Sequence, residues 1–280
     1  MTQRITGHTR FIAHLGMPTH SFKAPMIYNP YFAKAGIDVV VMPMGCAADD
    51  FAQFLPLLFK QTNIAGALIT MPHKVSVVDL LDDMTPAVKI CGACNAVKRD
   101  AQGRLVGDMF DGAGFVRGVM NKGRNIRGAS ALVIGAGGVG SAIAASLAAE
   151  GVARIGIHDI DTDRVADLGQ RLRSFYPKLN LEVGVNDPTG WDIVVNATPL
   201  GMNAQDPLPL DVTKLSANTF VGEVVMKSEM TPFLSAAAAA GCQTQVGTDM
   251  LFEMIPAYLE FFDLPTTTAG HLRAVAQIQY

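Results

Sequence analysis

A chain of 280 residues, 49% hydrophobic and 17% charged, has enough apolar content for one large core or two modest ones, which excludes a disordered chain. Its net charge of −3 gives no broad electrostatic reason to bind nucleic acid or an anionic membrane. The opening run MTQRITGHTRFIAHLG lacks the apolar centre of a signal peptide. The longest apolar stretch, Phe233–Gly241, is far short of a membrane span, so a cytoplasmic location is expected.

Strand-like apolar runs alternate with helical periods along nearly the whole chain. Strands are predicted at Arg10–Leu15, Asp38–Met42, Ala65–Thr70, Ala131–Ile134, Ala153–His158, Asp192–Asn196, Thr219–Val225 and Thr244–Val246. Helices are predicted at Pro25–Ala35, Ala48–Phe59, His73–Leu81 and Val139–Ala149, with Pro72 suited to a first helical position. Asn95–Arg99 and Arg104–Val106, joined by Asp100-Ala-Gln-Gly103, read as a short hairpin. This alternation predicts an α/β protein with mostly parallel sheets. The passage between domains is expected near Gly107–Gly114. From Met250 onward the pattern is helical, consistent with a C-terminal helix packing back onto the first domain. Cys46, Cys91, Cys94 and Cys242 read as buried free thiols, since the Cys91-Gly-Ala-Cys94 pair has no companion at zinc spacing.

One segment carries a specific chemistry. The buried-type strand Ser130–Ile134 runs directly into Gly135-Ala136-Gly137-Gly138-Val139-Gly140, and a helical pattern follows. That context makes G-x-G-x-x-G a dinucleotide-binding turn. Gly135 permits the tight turn, Gly137 lets backbone approach a pyrophosphate, and Gly140 allows close packing of helix on strand. The helix N-terminus then offers unpaired N–H groups to the phosphates. The second strand ends at Asp159, where a carboxylate would accept from the ribose hydroxyls and repel a 2′-phosphate. Asp161 and Asp163, before Arg164, add negative charge or cap a helix. NAD is therefore expected as cofactor in preference to NADP.

Seven segments in order resemble the shikimate dehydrogenase family. Thr70-Met-Pro-His-Lys74 is similar to its N-V-T-x-P-x-K, Gly92-Ala-Cys-Asn95 to its G-A-x-N, and Gly107-Asp-Met-Phe-Asp111-Gly112 to its G-x-N-T-D-G. Gly135–Gly140 fits its glycine turn, and Asn196-Ala-Thr-Pro-Leu-Gly-Met202 its N-A-T-P-x-G-M. Thr231-Pro-Phe-Leu234 and Gly247-x-x-Met250-Leu251 match its ending. The resemblance implies two domains with a cleft between them: an N-terminal α/β substrate-binding domain at 1–110, completed by C-terminal helices at 249–280, and a Rossmann-type doubly wound dinucleotide-binding domain at 111–248. It implies oxidation of a ring secondary alcohol next to other hydroxyls; a small hydroxy acid or polyol is expected as substrate, and a monomer or homodimer as the assembly. The family's catalytic lysine and aspartate fall on Lys74 and Asp111. The groups holding the reacting hydroxyls fall on Thr70 and Asn95. Asn196, Thr198, Pro199, Leu200, Met202 and Val224 fall at the ribose and nicotinamide.

Read physically, Lys74 in the first turn of the predicted helix would be pushed toward deprotonation by the helix dipole, while Asp111 would act the other way. General base and electrostatic stabiliser of a developing alkoxide both stay open. His20 and His73 read as structural.

The departures from the family concentrate at one end of the substrate. The S-x-S pair that grips the ring carboxylate falls on Phe22 and Ala24. The asparagine before T-x-P-x-K falls on Leu68, the supporting tyrosine on Met226, and the closing glutamine on Met254. Ser21, Thr19 or Lys23 would compensate if the loop shifted by a residue. The reading is a family paralogue with its dehydrogenase chemistry intact and its substrate choice changed. The alternatives are an ordinary shikimate or quinate dehydrogenase and a non-catalytic NAD-binding regulator of the same fold.

Overall fold

In the computed structural model, which describes residues 4–203 and 205–278, the chain forms two six-stranded sheets, each within its own unit. Unit 1 takes the chain up to Val88, Gly92–Phe110 and the stretch from Ile255 onward; unit 2 takes Lys89–Cys91 and Asp111–Met254.

Unit 1 runs β1 (Arg10–Gly16), α1 (Pro25–Ala35), β2 (Val39–Gly45), α2 (Ala48–Leu58), β3 (Ile64–Ile69), β4 (Asp83–Met84), α3 (Pro86–Cys91), β5 (Ala96–Arg99) and β6 (Leu105–Asp108). Its strand order is β2-β1-β3-β5-β6-β4. β1 pairs in parallel with β2 and β3, but β5 lies antiparallel to β3 and β6. This sheet is therefore mixed, because the β5–β6 hairpin reverses the chain inside it, although three of its five pairings are parallel. Local chemistry sets the helix ends. Pro25 opens α1 and left-handed Gly36 closes it; Thr85 and Pro86 open α3 and left-handed Gly92 closes it.

Unit 2 runs α4 (Asp111–Asn121), β7 (Ser130–Ile134), α5 (Gly138–Ala149), β8 (Arg154–His158), α6 (Thr162–Phe175), β9 (Asn180–Val183), β10 (Ile193–Asn196), β11 (Phe220–Glu223), α7 (Pro232–Ala239) and β12 (Gln243–Gln245). Its order, β12-β11-β10-β7-β8-β9, is parallel throughout. The order reverses between β7 and β10, the crevice where doubly wound sheets bind ligand at their carboxyl ends. The chain ends with α8 (Gly247–Phe261) and α9 (Ala269–Val275).

The return to unit 1 falls at Ile255, inside α8, rather than at 249. The reason is packing: a Cβ on Gly114 of α4 would lie 2.6 Å from the Met250 carbonyl oxygen and from Met254 Cβ, so the start of α8 lies against α4. Beyond it, Phe110 meets Tyr258 edge-on at 4.8 Å, and Gln277 N–H donates to the Met26 carbonyl at 2.8 Å.

The predicted helix His73–Leu81 is not formed. Residues 71–75 make turns, and only Ser76–Leu80 is helical, as a short 3-10 segment. The Lys74 carbonyl accepts from Cys94 N–H at 2.8 Å instead of from a helical amide. Pro72 thus lies in a turn and does not open a helix. Among the described residues no helix is long and apolar enough to cross a membrane. All four cysteines are free and buried.

Candidate active site

In unit 1 the carboxyl ends of β1 and β3 place the first set of residues. Thr70 N–H donates to the Leu15 carbonyl at 2.9 Å, and Met17 N–H to the Met71 carbonyl at 2.9 Å, so the two strand ends are tied together. Gly16 makes this possible: a Cβ there would strike the Thr70 methyl and the Met71 carbonyl, and would come within 3.2 Å of the Phe22 ring. Asn95 is 1% exposed; its N–H donates to the Asp108 carbonyl, and its side-chain Oδ1 accepts from Phe110 N–H at 2.9 Å. Through the Cys94–Lys74 bond the same loop fixes Lys74, so Thr70, Lys74 and Asn95 belong to one braced segment. Lys74 lies in a turn and not in the first turn of a helix.

Phe22 and Leu68 are buried, and Ala24 is half-buried at the start of α1. Phe22 stacks on His14 of β1, ring centroids 4.0 Å apart, and His14 stands beside Leu68 across the β1–β3 pair. Burial, then the charge of Lys74, lowers the His14 pKa to about 4. His73 stacks on Phe51 at 3.9 Å and its Nε2 meets the Cys46 carbonyl at 2.9 Å, an internal structural role; His20 is exposed.

In unit 2 the glycine turn lies at the end of β7. Gly135 has φ +106°, and a Cβ on it would lie 2.8 Å from the Ala197 carbonyl group. A Cβ on Gly140 would strike the Gly135 carbonyl, whereas Gly137 and Gly138 face open space. α5 starts from Gly137 without a side-chain cap, so its first N–H groups are left for an anion. Asp159 braces the turn. Its carboxylate accepts from Ala136 N–H at 2.7 Å and Asp161 N–H at 3.0 Å. Burial pushes its pKa up, but these two bonds, with Arg164 and His158, outweigh that and hold it below the usual carboxylate range. Two lone-pair sites remain for ribose hydroxyls. Asp161 caps α6 through Arg164 N–H at 3.0 Å and pairs with the Arg164 guanidinium. These residues fit a dinucleotide: a backbone cradle, an uncapped helix start and a carboxylate beyond it.

The turn after β10 is built by Asn196, which is fully buried. Its Oδ1 accepts from Thr198 N–H and Oγ1 at 3.1 and 2.6 Å, and its Nδ2 donates to the Leu200 carbonyl at 3.0 Å. Asn196 therefore shapes the segment Thr198, Pro199, Leu200, Met202; its own side chain is spent inside the protein. Val224 N–H donates to the Asn196 carbonyl at 3.2 Å. Sequence reasoning missed the partner of Asn196 on the next strand. Glu223, opposite it in register, is fully buried and accepts from Thr231 Oγ1 at 3.0 Å and from the Asn196 amide. Burial, outweighing those two bonds, raises its pKa to about 7. Met226 packs half-buried against the core of unit 2, and Met254 against Gly114. Asp111, 4% exposed, is the first residue of α4, where a carboxylate suits the helix N-terminus.

The family model described as "Shikimate dehydrogenase substrate binding domain" matches residues 15–97, and that of the "ThiF family" matches residues 116–172. The chain is 30% identical over 277 residues to a "Shikimate dehydrogenase (NADP(+))" of Rhodospirillum rubrum, covering 96% of this chain and 98% of the relative. Its fold is similar to that of shikimate 5-dehydrogenase from Listeria monocytogenes, solved with shikimate and NAD. That match has a TM-score of 0.90 and 26% identity, covering 98% of this chain and 99% of the other. It is also similar to the ligand-free 5-ketofructose reductase of Gluconobacter sp. strain CHM43, with a TM-score of 0.89 and 25% identity, covering 96% and 98%. With its glycine turn, its two α/β units and this near-complete coverage, the chain belongs to the shikimate dehydrogenase family of NAD(P)-dependent alcohol dehydrogenases.

Proposed function

We propose that this protein is a cytoplasmic dehydrogenase that uses NAD in preference to NADP, on a small polyol or hydroxy acid other than shikimate. The comparisons by themselves support the family's ordinary shikimate and quinate chemistry. The shift in substrate rests on this chain's residues, and one observation carries it. Thr70, Lys74 and Asn95 are kept and braced, while the adjoining positions are filled by buried Phe22, half-buried Ala24 and buried Leu68. Two hydroxyl donors lost to a carboxylate remove about 1.5–3 kcal/mol each. Met226 and Met254 offer no replacement donor. The Gluconobacter neighbour, named for a keto sugar, supports a substrate outside the shikimate class.

In the reaction, a secondary alcohol and NAD⁺ give a ketone, NADH and a proton. The cofactor supplies the hydride acceptor. Asn95 and Thr70 hold the reacting hydroxyls. Lys74 receives the hydroxyl proton or stabilises the charge developing on that oxygen, and Asp111 is assigned the role of the family's catalytic aspartate. For NAD, the support is that Asp159 stands where a 2′-phosphate would lie, and Arg164, the nearest following cation, is engaged by Asp161. Relatives of both cofactor types occur: the Rhodospirillum relative is named for NADP(+), and the Listeria structure holds NAD.

The test is to follow nicotinamide reduction with NAD or NADP against shikimate, quinate and a panel of cyclic polyols and ketose-derived alcohols. The expected result is NAD-linked turnover of a panel compound and weak turnover of shikimate. Efficient NADP-linked oxidation of shikimate overturns the proposal.

A further inference from the structure

A polar side chain, His14, stands at the end of the site that has lost its hydroxyl donors. His14 sits near the carboxyl end of β1, beside Leu68 in register, and its ring lies on Phe22 with centroids 4.0 Å apart and planes at 28°. It is 9% exposed, and its Nδ1 is enclosed with no hydrogen-bond partner. An enclosed N–H without an acceptor is costlier than an enclosed lone pair, so the ring proton belongs on Nε2. Burial and the Lys74 charge keep the ring neutral at neutral pH. The result is an uncharged N–H donor on a ring stacked against Phe22, the residue that falls on the first of the family's paired hydroxyls. A carboxylate brought here would lose its water without gaining a counter-charge from His14; a hydroxyl or carbonyl loses far less.

We propose that His14 is the substrate-recognition residue of this protein, and that it selects an uncharged oxygen, the hydroxyl or carbonyl of a polyol or ketose, over a carboxylate. The assignment rests on the dehydrogenase reading of the same site and names the class of its substrate. No motif marks the residue. It is one polar side chain in the apolar run of β1, and its meaning comes from what the β1–β3 register sets beside it.

A matched pair of probes tests it: shikimate and its methyl ester, which keep the ring hydroxyls and differ in charge. With NAD, the wild-type protein is expected to oxidise the ester with kcat/KM about tenfold above the acid. His14→Phe keeps a ring on Phe22 but removes the donor, and is expected to lower kcat/KM for the ester about tenfold, through KM rather than kcat. NAD affinity should not move. His14→Gln, which retains an N–H, should recover part of the loss. If His14→Phe does not fold, His14→Met is expected to show the same loss. Preference of the wild type for the acid, or equal ester kinetics in wild type and variant, overturns the assignment. Oxidation of neither compound counts against the dehydrogenase reading instead. His14 is then judged by calorimetric binding of the ester: weaker binding to the variant supports the assignment, and equal binding or none overturns it.

Discussion

The end of β7 and the end of β1 both carry a glycine that no other residue can replace, yet the two regions have different freedoms. At β7, Gly135 and Gly140 are held by backbone, and the groups they free for a ligand are backbone amides. At β1, Gly16 is held by Thr70, Met71 and Phe22, and the surface it supports is made of side chains. A backbone cradle admits little variation without loss of its ligand. A side-chain surface can change partners while the strand ends below it stay in place. This is the physical reason a family can keep its cofactor turn and its reacting groups while its substrate changes.

The largest expected effect is at the reacting groups: Lys74→Ala should lower kcat about a thousandfold while NAD affinity, read by fluorescence titration, stays unchanged. Unchanged turnover would remove Lys74 from the chemistry. Restoring the family's donors comes next. Phe22→Ser combined with Ala24→Ser should raise kcat/KM for shikimate about tenfold or more, given the worth of hydrogen bonds to a charged group. Absence of a gain would show that side-chain identity at this end does not set the substrate. At the other region, Asp159→Asn should narrow the NAD-over-NADP ratio about tenfold, measured as the ratio of the two kcat/KM values. The asparagine keeps an acceptor for the Ala136 amide but drops the charge.

The smallest effect concerns stability. Glu223 has its folded pKa raised to about 7 from an ordinary 4.5, so the folded chain binds this proton more tightly than the unfolded one. Its contribution is present in full below 4.5 and is lost as pH rises through 7. Glu223→Gln should flatten the fall in melting temperature across that window by a few degrees. An unaltered pH profile would show that this carboxyl does not titrate with folding.

Much of this was legible in the sequence, for reasons the residues make plain. The alternation of apolar strands and amphipathic helices follows from burial, so β1, β3, β7, β8 and β10 appear close to where the patterns place them. The glycine turn is legible because geometry there admits only glycine. Edge strands β4 and β9 were missed: one is two residues long, the other polar and half-exposed, and neither carries a buried alternation. His73–Leu81 imitates a helix through the spacing of Val75, Val78 and Leu80. Tertiary partners overrode that period: the His73 ring is drawn onto Phe51, and the Lys74 carbonyl is claimed by Cys94. His14 and Glu223 were illegible for a different reason. Each is a polar residue set in an apolar run of its strand, and its neighbours, Leu68 and Asn196, are set by strand register rather than by sequence distance.

On the proposed reading, the reacting groups are kept while the carboxylate end is given up. The most direct measurement is the steady-state KM of the wild-type protein for shikimate with saturating NAD, set beside that for the best uncharged polyol in the panel. A millimolar or unsaturable KM is expected for shikimate and a markedly lower one for the polyol. A micromolar KM for shikimate, with turnover to match, would contradict that reading.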